Sequence, residues 1–580
     1  MSTITANTRE LPALTVSVPR FAWRELAVLA LAATMILVYF TGVVASDDNN
    51  YFRLVSFVRQ GEPIPGELDY FVGRFAHWRL IQLAVALLPR QPWAMAVPNV
   101  LLTLATLWLL RTFARSWLRP EHAWLPMLIY ALIPVVVINA SVAVPDPVAA
   151  ALGWGGMFMA AGALIHQNAP APLRRCLLAG LLIGLAGNAK ETILLLVPGM
   201  MLFVSLCKTR CGWAWTRGLT LFAGAIAWLG AEMLIMWQWR GDPLFHLQAA
   251  RSALKESGWV VELTPTALLA YWTEYLRWLA DPRSELGLIG PLLLAGLIAA
   301  GIWRRPLTNL LLCCLIPALL YLSFGSSELS HYFPVCHQQR YLVPWLPGMA
   351  LLAGFAVIRL WTATLDRPRP RIALMGVGVV IAGLSLVAPN RLSGRWYHAA
   401  TFAAGRQLLA NHAAEIRQST DLYASGLTRN RFVGISCWLD CPEVKVIEPV
   451  PADAAEWVAR YGGSLIITSR LDRQAPGKEK HAPLTLFGSA ANTLSSKNDE
   501  ATSEPNAANL EPNGTPSSGQ PNEGSLHFQR IARCEPATDR LRSLWARLTG
   551  RPAPTDPRYA VELWRVPTGD ATEPRQNSNP

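Results

Sequence analysis

FAWRELAVLALAATMILVYFTGVVASDDNNY, residues 21–51, decides the fold class of this chain. From Leu26 to Val44 it carries no charge, Arg20 and Arg24 stand before it, and Asp47-Asp48 follow. A helix needs about 20 mostly apolar residues to cross a hydrocarbon core. Val43-Val44-Ala45 loosely fits a signal-peptidase site. Secretory signals, however, carry apolar runs of only about 7–15 residues, so we read an uncleaved first spanning helix.

Outward from this stretch, similar runs recur near 98–118, 122–142, 147–166, 175–189, 191–206, 215–239, 286–303, 306–325, 341–361 and 371–389. About eleven spans are expected, the 175–189 and 191–206 pair being short enough to form one interrupted unit. Composition agrees. Hydrophobic residues reach 52% and charged residues only 16%, against roughly 25% charged in soluble domains. The 580 residues therefore do not divide into a string of soluble domains.

The formal net charge of +12 invites a nucleic-acid reading, which its distribution removes. With the N-terminus inside, segments 1–25, 111–121, 166–175, 207–217, 304–305 and 359–371 hold 17 Lys and Arg and 4 acids. The opposite segments, 46–97, 145–146, 190–191, 240–285 and 326–340, hold 12 and 14. Glu232 alone lies within a span. Such asymmetry orients a membrane protein, with its basic loops on the cytoplasmic side.

Within the outer loop 46–97, Leu80–Leu88 is too short to span and suits an interfacial helix, as does the aromatic-rich Leu268–Leu279 in loop 240–285. Beyond Asn390 the pattern turns soluble. Residues 398–418 read as a helix, Val444–Ile447 as a strand, Ala452–Tyr461 as a helix, and Leu465–Thr468 and Tyr559–Val566 as strands. The expectation is a mainly α polytopic membrane domain, 1–390, followed by a small outward-facing α/β domain, 391–488 and 526–580. Residues 489–525, rich in Ser, Asn, Pro and Glu, read as a disordered insertion holding an Asn513-Gly-Thr sequon. The nine cysteines show no paired CxxC spacing for zinc. Cys437 and Cys441 are equally compatible with a disulfide and with free thiols.

Charges at a membrane edge are costly and invite a functional reading. The topology gathers Asp47, Asp48, Asp146, Lys190, Glu191, His331, His337 and Arg340 at the outer face. Each also has an architectural reading. The Asp pair can end a helix in water, Asp146 can cap one, Lys190 can pair with Glu191, the histidines can be loop residues, and Arg340 can anchor a helix at the headgroups.

Taken in order, the residues resemble a known family. Asp47-Asp48-Asn-Asn-Tyr51, Phe75-Ala-His77-Trp-Arg-Leu80, Ser141-Val-Ala-Val-Pro-Asp146, Gly180-x-x-x-Gly184 running to Lys190, and Arg340-Tyr341-Leu-Val-Pro344-Trp-Leu-Pro347 resemble the ordered motifs of GT-C fold glycosyltransferases. These are the polyprenyl-phosphate-sugar-dependent enzymes similar to protein O-mannosyltransferases and the aminoarabinose transferase of lipid A. His77 lacks the two prolines that follow it in the family, and Asp-Asp replaces the Asp-Glu of many relatives. The resemblance spans residues 20–390.

It implies a transferase in the bacterial inner membrane, N-terminus cytoplasmic and C-terminal domain periplasmic, acting on a polyprenyl-phosphate sugar and a lipid, glycan or protein acceptor. Asp47 becomes the base for the acceptor hydroxyl, with Asp48 or Asp146 orienting it. Lys190 and Arg340, with Arg74 beside them, offset phosphate charge. Tyr51, His77, His331 and His337 are further candidates. Inversion at the anomeric carbon is implied, and no cofactor; Asp47, Asp48 and Asp146 could supply oxygen ligands to a divalent cation, but no metal is expected. A lipid-linked substrate transporter or flippase, a glycan polymerase or ligase, and a non-enzymatic assembly factor are the competing readings. Transporters usually carry polar residues at mid-membrane and internal repeats, whereas these candidates cluster at one face and no repeat is apparent.

Overall fold

The computed structural model describes residues 23–391, apart from 43–46, 89–91, 207–211, 257–263, 327–331, 333, 336 and 365–367. Beyond these it describes 404–405, 407–418, 421–424, 444–446, 459–460, 464–469, 529–534 and 561–565. His331, Cys437, Cys441 and the insertion 489–525 lie outside the described residues.

Among the described residues eighteen α-helices build the first part: α1 Trp23–Val38, α2 Asp47–Gln60, α3 Asp69–Gly73, α4 Phe75–Leu87, α5 Val97–Trp117, α6 Trp124–Ala131, α7 Pro134–Ala140, α8 Asp146–Ile165, α9 Pro172–Ala189, α10 Leu196–Leu206, α11 Trp213–Arg240, α12 Phe245–Glu256, α13 Pro265–Trp272, α14 Glu274–Ala280, α15 Ile289–Trp303, α16 Pro306–Phe324, α17 Leu346–Ala363 and α18 Pro368–Val387. Among the described residues six helical stretches are long and apolar enough to cross a membrane: Trp93–Trp117, Asp146–Ile165, Trp213–Arg240, Pro306–Phe324, Gln339–Ala363 and Arg369–Val387. Phe75–Leu87, Glu191–Leu206 and Ile289–Trp303 are apolar but shorter. The run at 122–142, expected as one span, is broken, its two pieces meeting at 75°. Pro134 causes the break: it opens α7 and cannot donate the backbone hydrogen bond that would continue α6. Leu268–Leu279 is likewise divided, between α13 and α14 at Thr273.

Small residues let the helices approach. A Cβ on Gly180 of α9 would lie 2.0 Å from the Leu221 carbonyl oxygen of α11, and one on Gly224 would lie 2.3 Å from that of Leu177. The two glycines thus make a reciprocal backbone contact, the close packing that Gly-x-x-x-Gly spacing permits. Gly184 receives the Trp228 ring, and Gly348 of α17 receives Trp154 of α8, whose indole donates to the Pro344 carbonyl at 2.6 Å. These contacts seat α8 and α9 at the centre, while α11 and especially α18 turn most of their apolar surface outward.

Buried charges mark one end of the bundle. Glu25 accepts from Arg111 and Arg115 at 2.7 Å each. Arg217 donates to the carbonyls of Ala163, His166 and Gln167, the last turn and exit of α8. Such carbonyls have no partner within their own helix.

In the second part, β1 Leu422–Ala424, β2 Val444–Val446, β3 Leu465–Ser469, β4 Gln529–Cys534 and β5 Val561–Arg565 form a mixed sheet of order β2-β1-β3-β5-β4. β1 runs parallel to β2 and β3; β5 is antiparallel to β3 and β4. Leu422, Leu465, Ile467, Val561 and Leu563 pack with Leu408, Leu409 and Ile416 in a separate small core. Ile416 belongs to α19, Ala413–Gln418. The sequence indicated β2, β3 and β5; β1 and β4 were not foreseen, and Ala452–Tyr461 is described only at residues 459–460, which are helical.

Candidate active site

At the end of the bundle opposite Glu25 and Arg217, several helix starts and stops converge. α8 begins at Asp146, its first turn fixed by the flanking prolines. α9 ends at Ala189 because Lys190 is extended, at φ −152° and ψ 114°. That break turns the Lys190 ammonium to Asp146 Oδ1, 2.5 Å away. Both side chains are at most 5% exposed. The Tyr341 ring lies 3.9 Å from the same nitrogen, a cation–π contact in a desolvated place. Asp146 therefore serves a buried ion pair, and its side chain does not cap the helix it begins.

Asp47 opens α2, and its Oδ2 accepts from Arg340 Nη2 at 2.7 Å. Arg340 also donates through Nε to Gln338 at 2.6 Å. The Asp47–Asp48 pair does not simply end a helix in water: Asp48 is fully buried in the first turn of the new one. Burial pushes the Asp47 carboxyl up, but Arg340, Arg74 and Lys190 outweigh it and hold the group below its ordinary value. It is thus an anion at neutral pH, in the field of three cations.

Arg74 stands at the break between α3 and α4, with φ −85° and ψ 50°. Asn188, near the end of α9, secures this break. Its amide donates to the Gly73 carbonyl at 2.9 Å, and its oxygen accepts from the Ala76 amide at 2.7 Å. The side chain so fills the role of an N-cap from another helix. Arg74 then reaches Glu191 at 3.1 Å and lies 4.3 Å from the Tyr70 ring. Lys190 and Glu191 hence do not pair with each other, as the sequence had allowed, but hold two different partners.

Tyr51 and His77 are fully buried, ring to ring at 4.5 Å, with Phe71 against the other side of Tyr51. His337 belongs to another neighbourhood. Its Nδ1 lies 2.9 Å from Glu274, and its ring stacks on Tyr271 at 3.5 Å and meets Tyr275 edge-on. Among the described residues no group of three His, Cys, Asp or Glu side chains is arranged to hold a metal ion.

Sequence reasoning missed the roles of Glu191, His246, Asn188 and Tyr70. One signal was present: Glu232 is the single acid in the 28-residue apolar α11, and it accepts from His246.

The helical bundle has the GT-C fold. The chain shares that fold with ArnT from Cupriavidus metallidurans. The structure of that protein bound to undecaprenyl phosphate superposes with a TM-score of 0.50 at 15% identity, over 76% of this chain and 93% of the other. The apo state gives 0.50 at 14% identity, over 77% and 94%. The oligosaccharyltransferase of Archaeoglobus fulgidus gives 0.46 at 10%, over 77% and 69%. No protein-family model and no curated protein sequence matches the chain.

Proposed function

We propose that this protein is an integral-membrane glycosyltransferase that moves a sugar from a polyprenyl-phosphate donor to an acceptor at the outer, periplasmic face of a bacterial inner membrane. The observation that carries the reading is the gathering of Asp47–Arg340, Asp146–Lys190 and Arg74 at one end of a GT-C bundle. ArnT, which shares the fold, is known with undecaprenyl phosphate bound. About eleven helices cross the membrane, the N-terminus faces the cytoplasm, and the C-terminal sheet with its helices forms an α/β domain on the outer side.

In the reaction the acceptor hydroxyl oxygen attacks the anomeric carbon, and the bond from that carbon to the phosphate oxygen breaks. The electron pair leaves with the polyprenyl phosphate, and the hydroxyl proton passes to Asp47. In-line displacement of this kind inverts the anomeric centre. The departing phosphate gains negative charge, which Arg340, Lys190 and Arg74 offset in a place shielded from water. Arg340 and Lys190 are each held by a carboxylate. A donor phosphate competes for those cations, and as Arg340 turns to it, Asp47 is released to accept a proton. No step requires a cofactor or a metal.

Asp47→Asn is expected to abolish transfer while membrane abundance stays unchanged, since a missing base costs about 10²–10⁴-fold. Mass spectrometry of outer-surface glycans, lipids and glycoproteins compares the variant with the wild type. An unaltered profile would remove this mechanism; an unaltered profile with a lost lipid-translocation signal would indicate a transporter.

A further inference from the structure

Beside the reacting groups lies a chain of mostly buried charge of which the mechanism above uses only Arg74. His246, in the first turn of α12, is 6% exposed. Its Nδ1 is 2.5 Å from Glu232 Oε1 and its Nε2 is 3.2 Å from Glu191 Oε1. Carboxylates accept and do not donate, so both ring nitrogens must carry protons. The residue is an imidazolium. Glu232 is likewise 6% exposed, in the stretch of α11 from Gly218 to Trp237 that carries no other charge. A buried carboxylate there needs a counter-charge, and α12 brings it.

The backbone is built to admit the ring. A Cβ on Gly73 would lie 2.5 Å from His246 Cδ2, so the imidazolium packs against the residue just before Arg74. Glu191 Oε1 is shared: it accepts from His246 and from Arg74, whose Nη2 also reaches Oε2. Glu232, His246, Glu191 and Arg74 thus form one continuous line from α11 through α12 to the break between α3 and α4.

We propose that His246 is a positioning residue for donor binding: as an imidazolium held between Glu232 and Glu191 it fixes Glu191, and through Glu191 it aims the Arg74 guanidinium at the donor phosphate. The inference rests on the function proposed above. It gives loop 240–285 a specific duty, since α12 is the element that delivers the cation. Without the imidazolium, Glu191 keeps Arg74 as its counter-charge and draws the guanidinium away from a bound phosphate.

The experiment measures binding of undecaprenyl phosphate to the full chain in lipid nanodiscs, for wild type, His246→Gln, Arg74→Gln and the double variant. His246→Gln is expected to weaken binding about tenfold alone and by less than about twofold in the Arg74→Gln background, because residues acting through one another are not additive. Equal weakening in both backgrounds, or none in either, would overturn the proposal. Glu232→Gln, which leaves Glu191 and Arg74 intact, is expected to reproduce part of the His246→Gln loss; a full thermal transition in each variant separates misfolding from mispositioning. Failure of the wild type itself to bind undecaprenyl phosphate would count against the transferase reading and, with it, this one.

Discussion

At the scale of single residues the site is a set of ion pairs, and in the most deeply buried of them each partner's cost of burial is met by the other. Lys190 and Asp146 illustrate it: both are buried, and removing one leaves the other uncompensated, which typically costs about 3–5 kcal/mol. Lys190→Met and Asp146→Asn are each expected to lower the thermal midpoint of the solubilised protein sharply. The double variant should recover much of that loss while remaining unable to bind polyprenyl phosphate tightly. Additive losses would mean that the two groups do not depend on each other. His246 makes a second residue-scale prediction. Burial lowers its pKa, but Glu191 and Glu232 outweigh burial and raise it from 6.5 to about 9. A raised folded-state value stabilises the protein fully below the unfolded value, and that gain is lost as pH rises through about 9. The groups around the ring are Glu232 from α11, Glu191 and Arg74, with the Arg240–Asp69 pair close by. Thermal midpoints of wild type and His246→Gln should therefore converge between pH 6.5 and pH 9 or above. A difference that is constant with pH would deny the imidazolium.

At the scale of elements, the helices that carry these residues are held by backbone contact and not by side-chain bulk. Gly180 and Gly224 allow α9 and α11 to touch, and Lys190, the residue after the end of α9, reaches Asp146. A methyl at Gly180 would meet a carbonyl oxygen, an atom with no rotamer to move into. Gly180→Ala is expected to separate α9 from α11, cost about 1–3 kcal/mol or more from overpacking, and reduce transfer by shifting Lys190. Gly230→Ala on α11, where an added Cβ meets nothing within 4 Å, should leave both stability and transfer intact. Equal behaviour of the two variants, by thermal midpoint and transfer assay, would contradict this packing. Elements were also where sequence reading succeeded and failed most plainly. Apolar length pointed to the six long apolar helices among the described residues but not to the break in 122–142, and Gly180-x-x-x-Gly184 marked a close helix contact, because both are local patterns. Pairing was not legible: Lys190 stands beside Glu191 in sequence, yet a one-residue extended break sends them to Asp146 and Arg74. His246 and Glu232 carried no local pattern at all, apart from the oddity of one acid in an apolar helix. Strands β1 and β4 were hidden for a related reason, since a three-residue strand and one interrupted by arginines show no clear alternation.

At the scale of the whole molecule, the charge distribution and the site geometry make one joint statement about sidedness. Glu25, Arg111, Arg115 and Arg217 lie at one end of the bundle, and Asp47, Asp146, Lys190 and Arg340 at the other. Loops at the first end carry the basic excess, and the positive-inside tendency is what supports the proposed sidedness, with that end in the cytoplasm and the candidate site outside. Sidedness is open to direct test at exposed loop positions. Arg283, between α14 and α15, and Asn168, between α8 and α9, are both exposed. A membrane-impermeant thiol reagent applied to intact spheroplasts is expected to label Arg283→Cys above the background of the native cysteines and to leave Asn168→Cys unlabelled until the membrane is opened. The reverse pattern would put Asp47 and Lys190 on the cytoplasmic side. It would then require that donor and acceptor meet there, and the periplasmic reaction proposed here would fall, although the ion-pair chemistry of the site would stand.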